Sequence, residues 1–538
     1  MFPSLLLLAV FLFFYRLGVP GLMDPDEGRY AEIAREMLAS GDFITPQLNG
    51  LPYLEKPPLV YWLTALSLAC LGATEWSARL VAALSALGGV WAVFWLANRL
   101  WDTPTALWSG LVTVTSSGYF IMGRILTLDM ALTCCLTWGV ALAYVSWREA
   151  NRRLLCWAYG VIGLGVLTKG LVALVLPGLI FVTWLTWERR WRQWQYFWHA
   201  GGALLLVLLV LPWHLLVAWQ NPEFWRFFFW EEHIQRFLTP RIHAGQPVYF
   251  YVGVVLAGLL PWTFLLPWAW RVAAAGDPAA ANDRRFLLIW FGVIFVFFSL
   301  SRAKLWPYLL PGLPPLALLV GLALAKTAGA DLGQSRVWRF SLGAWLGFAL
   351  LLLAALAVLW QSFPATWQRL AFLAPQLLWG NIFLTLPPLL LLSGWPRAPW
   401  PGVIILVGAL GLMFGVISGI ERLAEQRSPR PLALIIKQTR QADAVILGYQ
   451  AYSQALSFYV GQPLYVYGLK GELAFGLRQR PDTPFFFQDL PQVLAFLQQQ
   501  PEFYVIITVE NFKIFRSVYP HPVQVLATWQ KYLLLRQP

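Results

Sequence analysis

The sequence predicts an α-helical polytopic membrane protein of about 13 transmembrane helices that ends in a small soluble α/β domain. Two observations carry the helical part. Of 538 residues, 59% are hydrophobic and only 12% charged, and apolar runs of about 15 to 25 residues recur, near the length a helix needs to cross the hydrocarbon layer. A third carries the final domain: from Glu421 onward the apolar runs shorten and polar residues return.

The spans are read near 2–17, 78–98, 104–122, 127–147, 154–169, 171–187, 200–218, 248–270, 286–301, 306–325, 340–360, 371–393 and 401–420. The first run lacks a basic region before it and a small-residue cleavage site after it, so it reads as a retained helix and not a signal peptide. Orientation follows from Arg148, Arg152 and Arg153, then Arg189, Arg190 and Arg192, then Arg271, Arg284 and Arg285, then Lys326, Arg336 and Arg339. They occupy every second gap, which the positive-inside rule assigns to the cytoplasm. The intervening gaps and everything after span thirteen then face outward, across the cytoplasmic (inner) membrane. The net charge of +13 is spent on this orientation, so no nucleic-acid partner is expected. The 31 Trp suit rings at the headgroup boundary. Cys70, Cys134, Cys135 and Cys156 lie in apolar stretches, which indicates neither a zinc site nor a disulfide framework.

Residues 421–538 alternate between helical and strand patterns: helices over 431–440, 453–460 and 490–499, strands over 444–448, 463–467 and 503–509. That is an extracytoplasmic α/β domain, without a nucleotide-binding glycine pattern.

The first outer loop, 18–78, holds two helices of its own. In one, Tyr30, Ile33, Ala34, Met37 and Leu38 share a face, with Glu32, Arg35 and Glu36 opposite, a pattern suited to the membrane surface. The other, 57–71, is apolar but short, and lies in the interface. Asp24-Pro25-Asp26-Glu27 opens the first: Asp24 is read as the N-cap, Pro25 as the first helical residue and Glu27 as the capping-box partner. Asp26 has no capping duty, although the helix dipole favours a carboxylate there. It is the candidate catalytic acid.

Glu55-Lys56-Pro57-Pro58 is either a solvated ion pair or, with the free amides of the helix start, a phosphate holder. Arg124 and Asp129 flank the outer start of a span; snorkelling and dipole complementation explain them, but ionisable groups at that depth also carry function. Lys169 caps an outer hairpin. Glu231-Glu232-His233 hints at metal, but His243 is not at a usual ligand spacing, so Glu232 and His233 remain general candidates. Arg302, Lys304 and Tyr308 sit at an outer helix end. Together Lys56, Arg124, Lys169, Arg302 and Lys304 put five cations on the outer face, which suggests a phosphate site.

Asp26-Glu27 followed by Arg29-Tyr30-Ala31-Glu32-Ile33-Ala34-Arg35-Glu36-Met37, then Glu55-Lys56-Pro57-Pro58, Thr127-Leu128-Asp129, Leu167-Thr168-Lys169-Gly170 and Lys304-Leu305-Trp306-Pro307-Tyr308, closely resemble the lipid A aminoarabinose transferases. These group with the protein O-mannosyltransferases in the GT-C class, family 39-like. The resemblance covers about the first 325 residues. It implies residues 1–420 as a transmembrane GT-C glycosyltransferase domain and a polyprenyl-phosphate-linked sugar donor. It also implies Asp26 as the central catalytic acid, Asp129 as a second acidic position, Lys56 near the donor phosphate, and Glu55 near a bound divalent metal ion. No other cofactor is expected. It assigns nothing to the tail. The function so read is inverting transfer of a sugar from a polyprenyl phosphate to a lipid A-like or other outer-leaflet acceptor. Protein O-mannosyltransferase-like transfer and a lipid-linked sugar flippase are the alternatives; the absence of an internal repeat weighs against the last.

Overall fold

The computed structural model describes residues 2–239, 245–274, 278–326, 332, 335–394, 401–440 and 444–537. Compactness divides the chain into two units: residues 1–17 with 81–422, the membrane unit, and 18–80 with 423–538, the loop–tail unit. The sequence reading had instead attached the first outer loop to the membrane domain.

Among the described residues, seven helices are long and apolar enough to cross a membrane: Glu75–Leu100, Leu128–Glu149, Ala200–Gln220, Trp306–Lys326, Arg336–Ser362, Ala371–Leu392 and Pro401–Arg427. Phe250–Gly258 and Trp262–Ala274, bent by 101°, make an eighth if taken as one broken span. Length and composition therefore do not reproduce the thirteen expected. Phe2–Phe14 and Val172–Trp187 are short, Arg152–Lys169 carries Arg152, Arg153 and Lys169, and Pro278–Leu300 carries Asp283, Arg284 and Arg285. The run expected over 104–122 breaks after Thr103–Val114, where Thr115 and Ser116 turn their hydroxyls back onto the carbonyls of Leu111 and Val112. Arg336–Ser362 exposes Phe340, Leu351 and Trp360, a face that water would penalise and hydrocarbon accepts. The protein is an integral membrane protein.

The loop–tail unit begins with the helix Asp26–Ser40, a two-stranded hairpin of β1 (Gln47–Leu48) and β2 (Leu51–Pro52), and the helix Leu59–Leu71. Asn49 and Gly50 have φ of 56° and 73°, the left-handed pair that a two-residue hairpin turn demands. The tail adds a six-stranded sheet of β3 (Val445–Tyr449), β4 (Tyr465–Tyr467), β5 (Phe486–Phe487), β6 (Phe503–Thr508), β7 (Gln524–Trp529) and β8 (Tyr532–Gln537), in the order β5-β4-β3-β6-β8-β7. Strands β5, β4, β3 and β6 are parallel, while β8 and β7 add antiparallel at the edge. Leu432, Ile436 and Leu456 pack on one face, Val493, Leu497 and Phe515 on the other, which makes the expected α/β domain.

Candidate active site

The acidic opening of the first loop helix folds differently from a capping box. Asp24 is not the N-cap: the helix starts at Asp26, behind Pro25 in helical conformation, with no side-chain cap bond. The Asp24 carboxylate instead accepts from the Ser453 hydroxyl at 2.5 Å and the Ala455 amide at 2.8 Å, both from the tail. Burial pushes its pKa up to about 6, against the lowering effect of those two bonds. Glu27 accepts from the Met23 amide at 3.1 Å, but its main partner is the Arg79 guanidinium, bound through both oxygens at 2.7 and 2.8 Å.

Glu32 and Glu36, read as the polar face, are also buried, with 0% and 6% exposure. Glu32 takes a two-point bond from Arg35 at 2.7 Å, and Glu36 accepts from the Asn49 and Gly50 amides at 2.6 and 2.9 Å, closing the hairpin turn. The supposed surface face is covered by the tail helix Gln454–Val460: a Cβ at Gly28 would lie 2.3 Å from the Ala455 nitrogen. Burial raises both carboxyls, Glu32 to about 8.

Of the acids in this helix, Asp26 alone keeps an open side chain, 58% exposed, with Arg29 3.1 Å away. Arg29 also pairs with Glu472 of the tail. Neither Arg29 nor Glu472 was singled out from the sequence; Arg29, at i+3 from Asp26 on a helix, carried a local signal, whereas Glu472 carried none. Lys56 Nζ donates to the Glu55 carbonyl at 2.8 Å, and both side chains are partly exposed.

In the membrane unit, Lys169 reaches Asp129 at 2.5 Å and lies 4.7 Å over the Tyr308 ring, so three sequence candidates form one cluster. Asp129 sits in the first turn of Leu128–Glu149, where the helix dipole adds to the lysine. His233 stands next to Gly170, whose added Cβ would meet its Nε2 at 2.3 Å, and its Nδ1 is bonded to the Phe228 carbonyl at 2.6 Å. It belongs to the π-helical stretch Arg226–Gln235, in which Glu232 pairs with Arg236 at 2.7 Å. Lys304 is buried, donates to the Ser301 carbonyl at 2.5 Å, and has its pKa lowered by burial and then by Arg302; Arg302 is exposed.

Arg124 departs from the expected phosphate set. It is buried and donates to the carbonyls of Leu12, Phe13 and Tyr15 at 2.6, 3.1 and 2.7 Å, so it caps the C-terminus of the first helix. A divalent ion at Glu55 finds no ligand set: among the described residues no three His, Cys, Asp or Glu side chains are grouped to hold one. His243 and Arg241 lie outside the described residues.

Comparison with known proteins reads this geometry. Residues 2–228 match the family described as dolichyl-phosphate-mannose-protein mannosyltransferase, and residues 432–537 match the aminoarabinose transferase C-terminal domain. The undecaprenyl phosphate-alpha-4-amino-4-deoxy-L-arabinose arabinosyl transferase 2 of Pseudomonas fluorescens is 33% identical over 88% of this chain and 81% of its own length. The chain belongs to this arabinosyl transferase family. The similarly named transferase of Pseudomonas aeruginosa is 39% identical over 66% of this chain, and the match spans 65% of that relative. ArnT from Cupriavidus metallidurans, solved bound to undecaprenyl phosphate, superposes with a TM-score of 0.86 at 28% identity, covering 99% of this chain and 97% of that one. The GT-C fold class inferred from the motifs is thus the fold of an arabinosyl transferase, and the tail, to which the motifs assigned nothing, is a domain of that family in its own right.

Proposed function

We propose that the protein transfers 4-amino-4-deoxy-L-arabinose from undecaprenyl phosphate to a lipid A-like acceptor at the periplasmic face of the inner membrane. The observation that carries the reading is Asp26: the one open carboxylate in a helix whose other acids are all committed to partners, inside a chain of the arabinosyl transferase family. The match of the tail to the aminoarabinose transferase C-terminal domain favours a lipid acceptor over the protein acceptor of the mannosyltransferases.

In the reaction the bond between the sugar C1 and the undecaprenyl phosphate oxygen breaks, a bond from C1 to the acceptor oxygen forms on the opposite face, and undecaprenyl phosphate leaves with the electron pair. Positive charge grows on the ring and negative charge on the departing phosphate. A carboxylate at Asp26 stabilises the first and orients the acceptor. An acceptor phosphate is already ionised and needs no base; an acceptor hydroxyl would give its proton to Asp26. For the departing phosphate the membrane unit offers Lys169, Arg302 and Lys304, and the loop–tail unit offers Lys56. Asp129 holds Lys169 in position. Glu27, paired with Arg79, holds the Asp26 turn.

The test is purified protein with undecaprenyl-phosphate aminoarabinose and lipid A, read by product mass; absence of product with active donor would refute the reading. Its sidedness is tested in a Cys70→Ser background, since Cys70 is exposed. An impermeant thiol reagent should label a cysteine at Lys513 in the tail and spare one at Arg189.

A further inference from the structure

The loop–tail unit contains a cavity of about 430 Å³ that the transfer chemistry above does not use. Its floor includes Gly448 and Ile506, which are register partners on β3 and β6. This is where the strand order reverses: from β3 the chain builds outward through β4 and β5, then crosses back to lay β6 on the other side. Parallel α/β sheets hold their ligands at such a reversal, beyond the carboxyl ends of the strands. Gly448 lets the following loop fold over the strand, for a Cβ there would lie 2.0 Å from the Ala451 carbonyl oxygen.

The lining is chemically uneven. Arg427 and Lys531, both exposed, are its cations, and Asp24 is its one carboxylate, already bonded to Ser453 and Ala455. Trp529 and Tyr532 stack at 5.9 Å and present ring surface. Two cations with forked and point-like donors and an aromatic wall together fit an anionic oxygen group attached to a sugar ring. A purely apolar guest would leave the cations unanswered, and a cationic one would be repelled. The cavity is 300–1,000 Å³ in class, about the size that holds a small ligand headgroup and too small for a polypeptide domain.

We propose that this cavity is an acceptor subsite that takes a phosphate-bearing sugar headgroup, with Arg427 and Lys531 on the phosphate and the Trp529–Tyr532 wall against the ring. This rests on the transfer reading above and gives the tail a part in it: the Asp24 that lines the subsite stands two residues before Asp26.

The test is the acceptor KM of purified full-length protein with diphosphorylated lipid A and with its monophosphoryl form, which keeps one phosphate to accept the sugar and lacks the second for the subsite. Arg427→Ala and Lys531→Ala should each raise the KM for diphosphorylated lipid A by about tenfold, and Trp529→Ala, which removes the aromatic wall, by about threefold. The donor KM should stay fixed. With the monophosphoryl acceptor, wild type and variants should no longer differ. Lys513→Ala, on an exposed tail helix, is the control for altered tail charge, and thermal unfolding shows whether each variant is folded. Acceptor KM values within twofold of wild type in all three folded variants would overturn the proposal. So would competition by millimolar inorganic phosphate that protects the cavity without changing the acceptor KM, which would make it a free-phosphate site. If the wild type transfers to no acceptor, the transfer reading fails by itself; binding of lipid A to wild type and Lys531→Ala, measured without donor, then still decides the subsite, and equal affinity refutes it.

Discussion

The two acidic regions of this protein solve the same problem differently. In the membrane unit, Asp129 has one cation, Lys169, which a tyrosine ring also covers. In the loop–tail unit, five carboxylates fall within thirteen residues, and four of them are tied down one by one: Asp24 by tail donors, Glu27 by Arg79, Glu32 by Arg35 and Glu36 by a hairpin turn. Asp26, 3.1 Å from Arg29, keeps its side chain 58% exposed. A crowd of acids is therefore no measure of a crowd of catalytic groups, since four of these five are scaffold.

The comparison breaks most visibly at the buried pair. Arg79→Ala leaves Glu27 as an unpaired charge and should destabilise the loop–tail unit by about 3–5 kcal/mol, with Glu27→Gln similar and the Glu27→Gln/Arg79→Met double variant milder than either. Thermal unfolding in detergent checks it; an Arg79→Ala variant as stable as wild type would make the pair ornamental. Next comes Glu32. Its carboxyl titrates near 8 in the fold, raised by burial from an ordinary 4.5. Between those values the folded protein binds a proton that the unfolded chain has lost, so stability should fall as pH rises from about 4.5 to about 8. Glu32→Gln should flatten that slope, and an unchanged slope would remove the assignment. The smallest effect belongs to the membrane unit: Tyr308→Leu removes the ring beneath Lys169 at about 0.5–1 kcal/mol, a roughly two- to fivefold rise in donor KM. A larger loss would give Tyr308 a direct part in donor binding.

The sequence carried some of this arrangement and concealed the rest for physical reasons. Apolar periodicity located the loop helix and, within one or two residues, the tail helices Arg430–Thr439, Gln454–Val460 and Leu490–Gln498 and the strands β3, β4 and β6, because burial writes period into sequence; the short β5 and the helix Ala474–Gln479 went unread. It assigned Glu32 and Glu36 to water, since periodicity marks one apolar face and says nothing of a second element laid over the other. The partners of Asp24 lie 429 and 431 residues away, beyond the reach of any capping rule. Asn49-Gly50, by contrast, is a strong local turn signal that went unused, whereas the β7–β8 turn at Gln530-Lys531 has no glycine to announce it. The run expected over 104–122 is broken where the hydroxyls of Thr115 and Ser116 end a helix.

The central claim is that Asp26 does chemistry while its neighbours hold the fold. The direct measurement is turnover of purified Asp26→Asn with undecaprenyl-phosphate aminoarabinose and lipid A, beside its thermal unfolding. The exposed side chain makes few contacts, so unfolding should match wild type, while turnover should fall by at least about 10²-fold. A folded Asp26→Asn protein with near-normal turnover would contradict the account.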